Sequence, residues 1–161
     1  MSFERVAIIG LGLLGGSIGL AAREHLPAIA TTGWDRDPAT RARAAERGLV
    51  GTVCETGAEA VANADLVIFC VPVGAIGEVA ADLAGAIPAG AVISDVGSSK
   101  QSVATALAEA LPGNVVIPAH PVAGTERSGP DAGFASLFQG RWCIITPPEG
   151  ADQAKVAALS T

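Results

Sequence analysis

The chain has 161 residues, half of them apolar and 16% of them charged, and its formal net charge is −6. These values are typical of one globular domain with a substantial core, and they exclude a disordered chain. The acidic balance leaves no basic patch for phosphates, which argues against a nucleic-acid partner. No apolar stretch is long enough to span a bilayer and the N-terminus lacks a signal-peptide layout, so we expect a cytoplasmic protein with no membrane partner.

Short apolar runs alternate with alanine-rich helical patterns along the whole chain. The predicted strands cover residues 5–9, 29–34, 50–53, 66–71, 91–95, 115–119 and 142–146. The predicted helices cover residues 15–25, 38–47, 58–62, 75–86 and 100–111, and a last helix starts at 147–149 and runs to 160. This alternation predicts an α/β fold of the Rossmann type, a doubly wound, mainly parallel sheet with helices on both faces.

Two features interrupt this alternation or could carry chemistry of their own. Residues 121–140 form a long polar loop with several glycines, and loops of that length in compact domains are usually functional. The three cysteines, Cys54, Cys70 and Cys143, are far apart and lack metal-ligand spacing. We interpret them as small buried hydrophobes and expect no metal site.

A glycine turn follows the first predicted strand and opens the first helix. It reads Gly10-Leu11-Gly12-Leu13-Leu14-Gly15. Gly10 permits the tight turn, Gly12 lets a pyrophosphate approach the backbone, and Gly15 lets the helix pack against the strand. The free N–H groups of the helix N-terminus attract phosphate, so the turn predicts a dinucleotide site.

The second predicted strand ends at a carboxylate, twenty residues after the last glycine of the turn. Asp35 would accept hydrogen bonds from the adenosine ribose hydroxyls and repel a 2′-phosphate, which favours NAD over NADP. Its neighbour Arg36 could meet a 2′-phosphate, so NADP stays possible. Val71 and Pro72, at the end of the fourth predicted strand, are expected along the adenine side of the cleft or simply in the core.

A nicotinamide cofactor needs a group that handles a proton while the hydride moves. His120 follows a strand, at the edge where a doubly wound sheet binds ligands, whereas His25 lies on the first helix and is expected on the surface. Ser98 follows the preceding strand and could reach the same cleft, or could cap the next helix, a role for which Ser99 competes. Lys100 is expected to be solvated or paired with a carboxylate.

Three segments of the chain carry a resemblance to a known family. They are residues 10–17, residues 95–100 and above all His120-Pro121-Val122-Ala123-Gly124-Thr125-Glu126-Arg127-Ser128-Gly129. In these segments the chain resembles the prephenate/arogenate (cyclohexadienyl) dehydrogenases of tyrosine biosynthesis. The glycine turn is shared with many families, whereas the histidine loop is much more specific.

The resemblance implies roles for particular residues. His120 would accept the proton of the substrate hydroxyl, Ser98 would lie near that hydroxyl and the nicotinamide, and Thr125 and Glu126 would line or gate the substrate site. The implied reaction is an NAD-dependent oxidative decarboxylation. Nothing in the residue pattern itself indicates the decarboxylation, which depends on the resemblance.

The family also continues into a helical second domain that forms its dimer. The resemblance therefore implies a dinucleotide-binding domain at residues 1–148 and, at residues 149–161, the start of a linker helix toward a C-terminal dimerisation domain absent from this chain. Two alternatives remain open: a β-hydroxyacid dehydrogenase or imine reductase, which share the glycine turn, and a non-catalytic NAD-binding module.

Overall fold

The computed structural model describes residues 1–160. In chain order, the strands of its main sheet are β1 (Arg5–Ile9), β2 (Ala30–Trp34), β3 (Thr52–Val53), β4 (Leu66–Phe69), β5 (Val92–Asp95) and β6 (Val115–Val116). The first five helices are α1 (Leu13–His25), α2 (Pro38–Arg47), α3 (Gly57–Val61), α4 (Ile76–Leu83) and α5 (Lys100–Ala110). The strands are parallel and their order is β3-β2-β1-β4-β5-β6, which confirms the predicted Rossmann-type fold.

The sheet separates two hydrophobic cores. On one face, the strands pack against α3, α4 and α5, and the largest fully buried side chains there include Phe69 of β4, Ile76 of α4 and Leu107 of α5. On the other face, Ile8 and Leu49 belong to the core beneath α1 and α2. Burying each such side chain stabilises the fold by about 1.5–3 kcal/mol.

Local signals in the sequence set the ends of α2 as predicted. The Asp37 carboxylate accepts a hydrogen bond from the Ala39 N–H, Pro38 takes the first helical position, and Gly48 ends the helix with φ +60°. The Thr40 hydroxyl and the Ala39 N–H lower the pKa of the Asp37 carboxyl. Asp37 therefore caps the helix and leaves Asp35 for another role.

The single strand predicted at residues 115–119 is wrong, because the chain leaves the parallel sheet after Ile117. The Ser94 hydroxyl donates to the Ile117 carbonyl, Pro118 has no N–H, and the N–H of Ala119 donates to the Asp95 carboxylate. The chain then forms a two-stranded antiparallel ribbon of β7 (Ala119–Pro121) and β8 (Cys143–Ile145). The strand predicted at 142–146 therefore pairs outside the main sheet, and His120 lies within β7 rather than after a strand.

Other boundaries also differ from the prediction. The last helix, α6 (Gln153–Leu159), begins at Gln153 with Asp152 as its cap rather than at residues 147–149, because Pro148 disfavours the helical conformation at Pro147. β4 ends at Phe69, and a 3₁₀ turn (Val73–Ala75) precedes α4. Through Val156 and Leu159, α6 packs on the core beneath α1 and α2.

The cysteines are buried to different degrees. Burial raises the pKa of the Cys70 thiol, in agreement with a role as a small core residue. Cys143 is exposed, so its predicted burial is wrong; it lies on the short strand β8, where its neighbour Ile144 is exposed as well. Among residues 1–160, no helix is long and apolar enough to cross a bilayer, and no cluster of three or more His, Cys, Asp or Glu side chains is placed to hold a metal ion.

Candidate functional site

The glycine turn joins β1 to α1 at the point where the order of strands reverses, between β1 and β4. Open α/β sheets bind their ligands at this position, outside the carboxyl ends of the strands. Gly10 has φ +101°, a conformation that favours glycine, and its N–H donates to the Trp34 carbonyl oxygen at 2.8 Å. A Cβ on Gly15 would lie 1.9 Å from the Gly10 carbonyl oxygen, so only glycine fits there.

The start of α1 is open for an anion. Gly12 is the N-cap residue, no side chain caps the helix, and its first turn carries no acidic residue. Apart from Gly12, its two chain neighbours and the adjoining backbone of α1, no atom of the described chain lies within 4 Å of the position that a Cβ on Gly12 would take. The uncapped N–H groups and the helix dipole suit a diphosphate, so this cradle fits the nucleotide that the sequence predicts.

Asp35 ties the glycine turn to the end of β2. Its Oδ2 accepts a hydrogen bond from the Leu11 N–H at 3.0 Å, and its Oδ1 accepts one from the Asp37 N–H, also at 3.0 Å. Each carboxylate oxygen keeps a second acceptor site, so ribose hydroxyls can still be bound. Arg41 donates to the carbonyls of Asp35 and Arg36, and the Arg36 side chain is exposed beside them.

Val71 and Pro72 border the same turn from the end of β4. A Cβ on Gly10 would lie 2.8 Å from the Cys70 carbonyl carbon and 3.0 Å from the Val71 nitrogen, so the two strand ends are in contact. Val71 packs against the core of the α3, α4 and α5 face, whereas Pro72 is exposed. Both of the expected roles, cleft wall and core, are therefore compatible with the geometry.

At the end of β5, Asp95 forms an ion pair with Lys100 next to the segment that His120 faces. Asp95 is fully buried, and its Oδ2 lies 2.5 Å from the Lys100 Nζ, so Lys100 is paired rather than solvated. The carboxylate also accepts hydrogen bonds from the N–H groups of Gly97 at 2.8 Å and Ala119 at 3.2 Å. Lys100 in turn donates to the Ala119 carbonyl at 2.5 Å.

His120 is half-buried and faces the segment after β5. Its Nδ1 lies 3.4 Å from the Val96 carbonyl oxygen, which can only accept, so this long contact is a hydrogen bond in the tautomer that carries the proton on Nδ1. In a neutral imidazole, Nε2 then carries the lone pair and can accept a proton. Ser98 is exposed two residues beyond Val96, and Ser99 rather than Ser98 takes the N-cap position of α5. His25 is exposed at the end of α1.

The predicted loop residues lie farther out. Thr125 and Glu126 are exposed, and the Thr125 hydroxyl accepts a hydrogen bond from the Arg127 N–H at 3.1 Å. Within residues 1–160, neither side chain is hydrogen-bonded to His120. The structure thus brings the histidine and the glycine turn to one edge of the sheet but leaves this stretch of loop open to solvent.

The second half of the loop is fixed by residues that the sequence analysis missed. The Phe134 N–H donates to the hydroxyl of Ser17, which is fully buried in α1. The Arg47 guanidinium donates to the carbonyls of Pro130 and Gly133 at 2.7–3.1 Å. A serine two residues beyond the glycine turn is a weak signal for such a contact, and nothing in the sequence indicates the role of Arg47.

An apolar pocket of about 210 Å³ opens beside this end of the sheet. It is bounded by α1, by the segment after β5 and by the ribbon; its lining includes Ile18, Val96, Pro121, Trp142 and Ile145. Arg141 and Asp95 contribute its charged groups. A pocket that is mostly apolar with a few polar groups suits a small organic ligand.

Residues 18–161 match the family described as "Prephenate dehydrogenase, nucleotide-binding domain". The chain belongs to this family. It is 45% identical over 145 residues to the cyclohexadienyl dehydrogenase of Zymomonas mobilis, covering 90% of this chain and 50% of that protein. The match supports a nucleotide-binding domain and favours the prephenate dehydrogenase family over the families of the β-hydroxyacid dehydrogenases and imine reductases.

Solved structures of the prephenate dehydrogenase family share the fold. The arogenate dehydrogenase of Synechocystis matches with a TM-score of 0.88 and 27% identity over 97% of this chain and 54% of that one. The prephenate dehydrogenase of A. aeolicus in complex with hydroxyphenyl propionate and NAD⁺ matches with a TM-score of 0.89 and 26% identity, over 99% of this chain and 56% of that one. The chain spans about half the length of these relatives.

Proposed function

We propose that this chain is the cofactor-binding domain of an NAD-dependent dehydrogenase that oxidatively decarboxylates prephenate, arogenate or both. The observation that carries the proposal is the placement of His120 at the same edge of the sheet as the open glycine turn, with Nδ1 on the Val96 carbonyl and Nε2 left to accept a proton. The family match and the names of the relatives support the substrate class.

Binding of NAD would use the residues of the turn and the two strand ends. The backbone of Gly10, Leu11, Gly12, Leu13, Leu14 and Gly15 would hold the diphosphate. Asp35 would bind the ribose hydroxyls, and Val71 and Pro72 would border the adenine. The NAD⁺ in the A. aeolicus structure supports this cofactor.

The choice between NAD and NADP depends on Asp35 and Arg36. A carboxylate already held toward the turn repels a 2′-phosphate, whereas the exposed Arg36 could attract one. We expect the carboxylate to dominate, because its position is fixed by two backbone N–H groups. Titration of NAD and NADP in parallel tests this choice; tighter binding of NADP would contradict it.

The residues of the chain would perform the proton step. His120 Nε2 would take the proton of the C4 hydroxyl, and the Ser98 hydroxyl would bind the same oxygen. The bound cofactor supplies the acceptor for the hydride that leaves C4. As the ketone forms, the bond from C1 to its carboxylate breaks, CO₂ leaves, and its electron pair makes the ring aromatic. The product is 4-hydroxyphenylpyruvate from prephenate or tyrosine from arogenate; Thr125 and Glu126 would line or gate the site.

The substitution His120→Asn in the full-length enzyme tests this role. We expect turnover of prephenate or arogenate to fall roughly 10²- to 10⁴-fold, the usual contribution of a general base, with NAD affinity unchanged. His25→Asn is the control and should change neither quantity, because His25 is exposed on α1. Undiminished turnover in His120→Asn would remove His120 from the mechanism.

The substrate class is tested by assay of the full-length enzyme with prephenate, arogenate and small β-hydroxyacids. Activity on hydroxyacids alone would establish the first alternative, and NAD binding without turnover of any of them would establish the second, a non-catalytic NAD-binding module. We expect activity on at least one cyclohexadienyl substrate.

We further propose that residues 1–148 are the dinucleotide-binding domain and that residues 149–161 begin the link to a C-terminal helical half that forms a homodimer. The share of the relatives' length that the chain covers supports this division. The mass of the full-length protein in solution tests the dimer.

A further inference from the structure

We propose that Asp95 is a positioning residue for His120 and acts through the peptide bond between Val96 and Gly97. The proposal extends the function proposed above, in which His120 accepts a proton. Asp95 itself would touch neither substrate nor cofactor. Its carboxylate would fix the tautomer of the imidazole by orienting the peptide group that faces it.

The geometry of one peptide group carries the inference. The N–H of Gly97 donates to Asp95 Oδ2 at 2.8 Å, and the carbonyl of the same peptide group, that of Val96, faces the His120 Nδ1 at 3.4 Å. In a trans peptide the N–H and the C=O point in opposite directions. Holding the N–H on the carboxylate therefore aims the carbonyl at the imidazole.

The backbone on the His120 side of the contact is held by the ion pair of Asp95 and Lys100. The N–H of Ala119, the residue before His120, donates to Asp95 Oδ1 at 3.2 Å, and its carbonyl accepts from Lys100 at 2.5 Å. Both backbone polar groups of Ala119 are thus bound by the Asp95–Lys100 pair. The pair fixes the backbone on both sides of the contact between Val96 and His120.

Stability alone does not account for a fully buried carboxylate at this place. A buried ion pair is often no more stabilising than apolar side chains of the same volume, because both charges lose their hydration. The space around Gly97 is also tight, since a Cβ there would lie 3.1 Å from Asp95 Oδ2 and 3.0 Å from Val73 Cγ2. The carboxylate instead fixes the orientation of the Val96 carbonyl. That carbonyl is then a fixed acceptor for Nδ1–H, which leaves the Nε2 lone pair toward the cleft.

The tautomer can be measured without substrate or cofactor. The chain has two histidines, so ¹⁵N-histidine labelling gives two imidazole spin systems, and His120→Asn assigns them. At a pH where both rings are neutral, we expect His120 to be protonated on Nδ1 alone, whereas the exposed His25 shows the mixture of tautomers of free imidazole. A mixture or an Nε2–H tautomer at His120 in the unaltered chain would overturn the proposal.

The substitution Asp95→Asn tests the cause. We expect His120 to lose its single tautomer and kcat of the full-length enzyme to fall about tenfold to a hundredfold, the scale on which orienting partners of a functional histidine act, with NAD affinity and substrate KM unchanged. A folded Asp95→Asn protein that keeps both the tautomer and kcat would refute the positioning role.

If Asp95→Asn does not fold, a second variant, Gly97→Ala, tests the same peptide group, because its methyl group would crowd that group. We expect Gly97→Ala to change the tautomer in the same direction. A folded Gly97→Ala protein with native tautomer and kcat would also refute the positioning role.

Asp65→Asn is the matched control. The Asp65 carboxylate also accepts two backbone N–H bonds, from Glu4 and Arg5, at the opposite edge of the sheet. This substitution should lower stability without changing the His120 tautomer or kcat. Because the tautomer is measured without turnover, this test is independent of the test of the proposed function. A protein that is inactive on every cyclohexadienyl substrate would refute the proposed function alone.

Discussion

At the scale of single residues, the glycines of the first turn differ in what an added methyl group would meet. At Gly15 the methyl carbon would lie 1.9 Å from the Gly10 carbonyl oxygen, inside the fold. At Gly12 it would point into open space in front of α1, where the diphosphate is proposed to lie. One glycine therefore serves the packing of the helix on the strand, and the other serves the approach of a ligand.

This difference predicts opposite results for two alanine substitutions. Gly12→Ala should leave the melting temperature unchanged and weaken NAD binding about tenfold or more, a loss of about 1.4 kcal/mol, because the methyl group displaces the phosphate from the N–H groups. Gly15→Ala should unfold the domain or lower its melting temperature, because its clash is with backbone. Calorimetric titration and thermal unfolding measure both; unaltered NAD binding in Gly12→Ala would place the diphosphate elsewhere.

Sequence alone found the residues whose role depends on their place next to a strand. The turn at 10–15, Asp35 and His120 each follow or lie in an apolar run, and their positions at the edge of a parallel sheet follow from topology. The contacts of Ser17 and Arg47 with the loop could not be found in this way. They join residues 117 and 83–86 positions apart in the chain, and no local pattern encodes such a pairing.

At the scale of elements, the ribbon of β7 and β8 shows where periodicity was insufficient. The apolar run at 115–119 is continuous in sequence, yet Pro118 has no N–H for a sheet bond, and the side chains of Ser94 and Asp95 bind the Ile117 carbonyl and the Ala119 N–H in place of the β5 backbone. The direction and partner of a short strand depend on such tertiary contacts rather than on its own residues. The ribbon in turn places His120 next to the segment after β5, so this departure from the expected sheet positions the candidate base.

The long loop is also an element with two different halves. Residues 130–134 are clamped to α1 and α2, whereas Thr125 and Glu126 are exposed between this clamp and β7. The Arg47 guanidinium makes three of the clamp's hydrogen bonds, all to carbonyl oxygens. We therefore predict that Arg47 sets the path of the part of the loop proposed to line the substrate site.

Arg47→Met tests this path. Each hydrogen bond to a charged group contributes about 1.5–3 kcal/mol, so amides at 130–134 should exchange with solvent faster while those of β1 and β4 keep their protection. In the full-length enzyme, KM for the substrate should rise several-fold and NAD affinity should stay unchanged. Arg43→Met is the control, because its ion pair with Asp131 is exposed to solvent and exposed pairs contribute little to stability. Equal exchange rates in the two variants would contradict the clamp.

At the scale of the whole molecule, large apolar side chains on the ribbon and the adjoining loop are exposed. Trp142 is 82% exposed and Ile144 54%, and the Val122 N–H bonds the Trp142 carbonyl across the ribbon. Exposed apolar clusters usually mark surfaces that another body covers. The chain spans about half the length of its relatives, so we predict that their remaining half covers this surface in the full-length protein.

The two tryptophans make this prediction measurable. In a Trp34→Phe background, the fluorescence of Trp142 should be quenched strongly by acrylamide in this chain, because its indole is open to solvent. In the full-length protein the same tryptophan should be protected and its emission shifted to shorter wavelength. Equal quenching in the two proteins would show that the ribbon stays exposed and that the remaining half packs elsewhere.

The distribution of positive charge predicts what this chain does by itself. Prephenate carries two carboxylates, and of the cations nearest His120, Lys100 is already bound to Asp95 and the Ala119 carbonyl. Arg127 and Arg141 are exposed, so neither offers a buried partner for a carboxylate. Losing a buried partner for one charge costs about 2–5 kcal/mol, which corresponds to a factor between about 30 and several thousand in kcat/KM. We therefore expect the 161-residue chain to bind NAD with the affinity of the full-length enzyme but to turn over prephenate at least about 30-fold less efficiently. Calorimetry and a steady-state assay of both proteins test this, and equal kcat/KM would mean that residues 1–161 already contain every group that binds the substrate carboxylates.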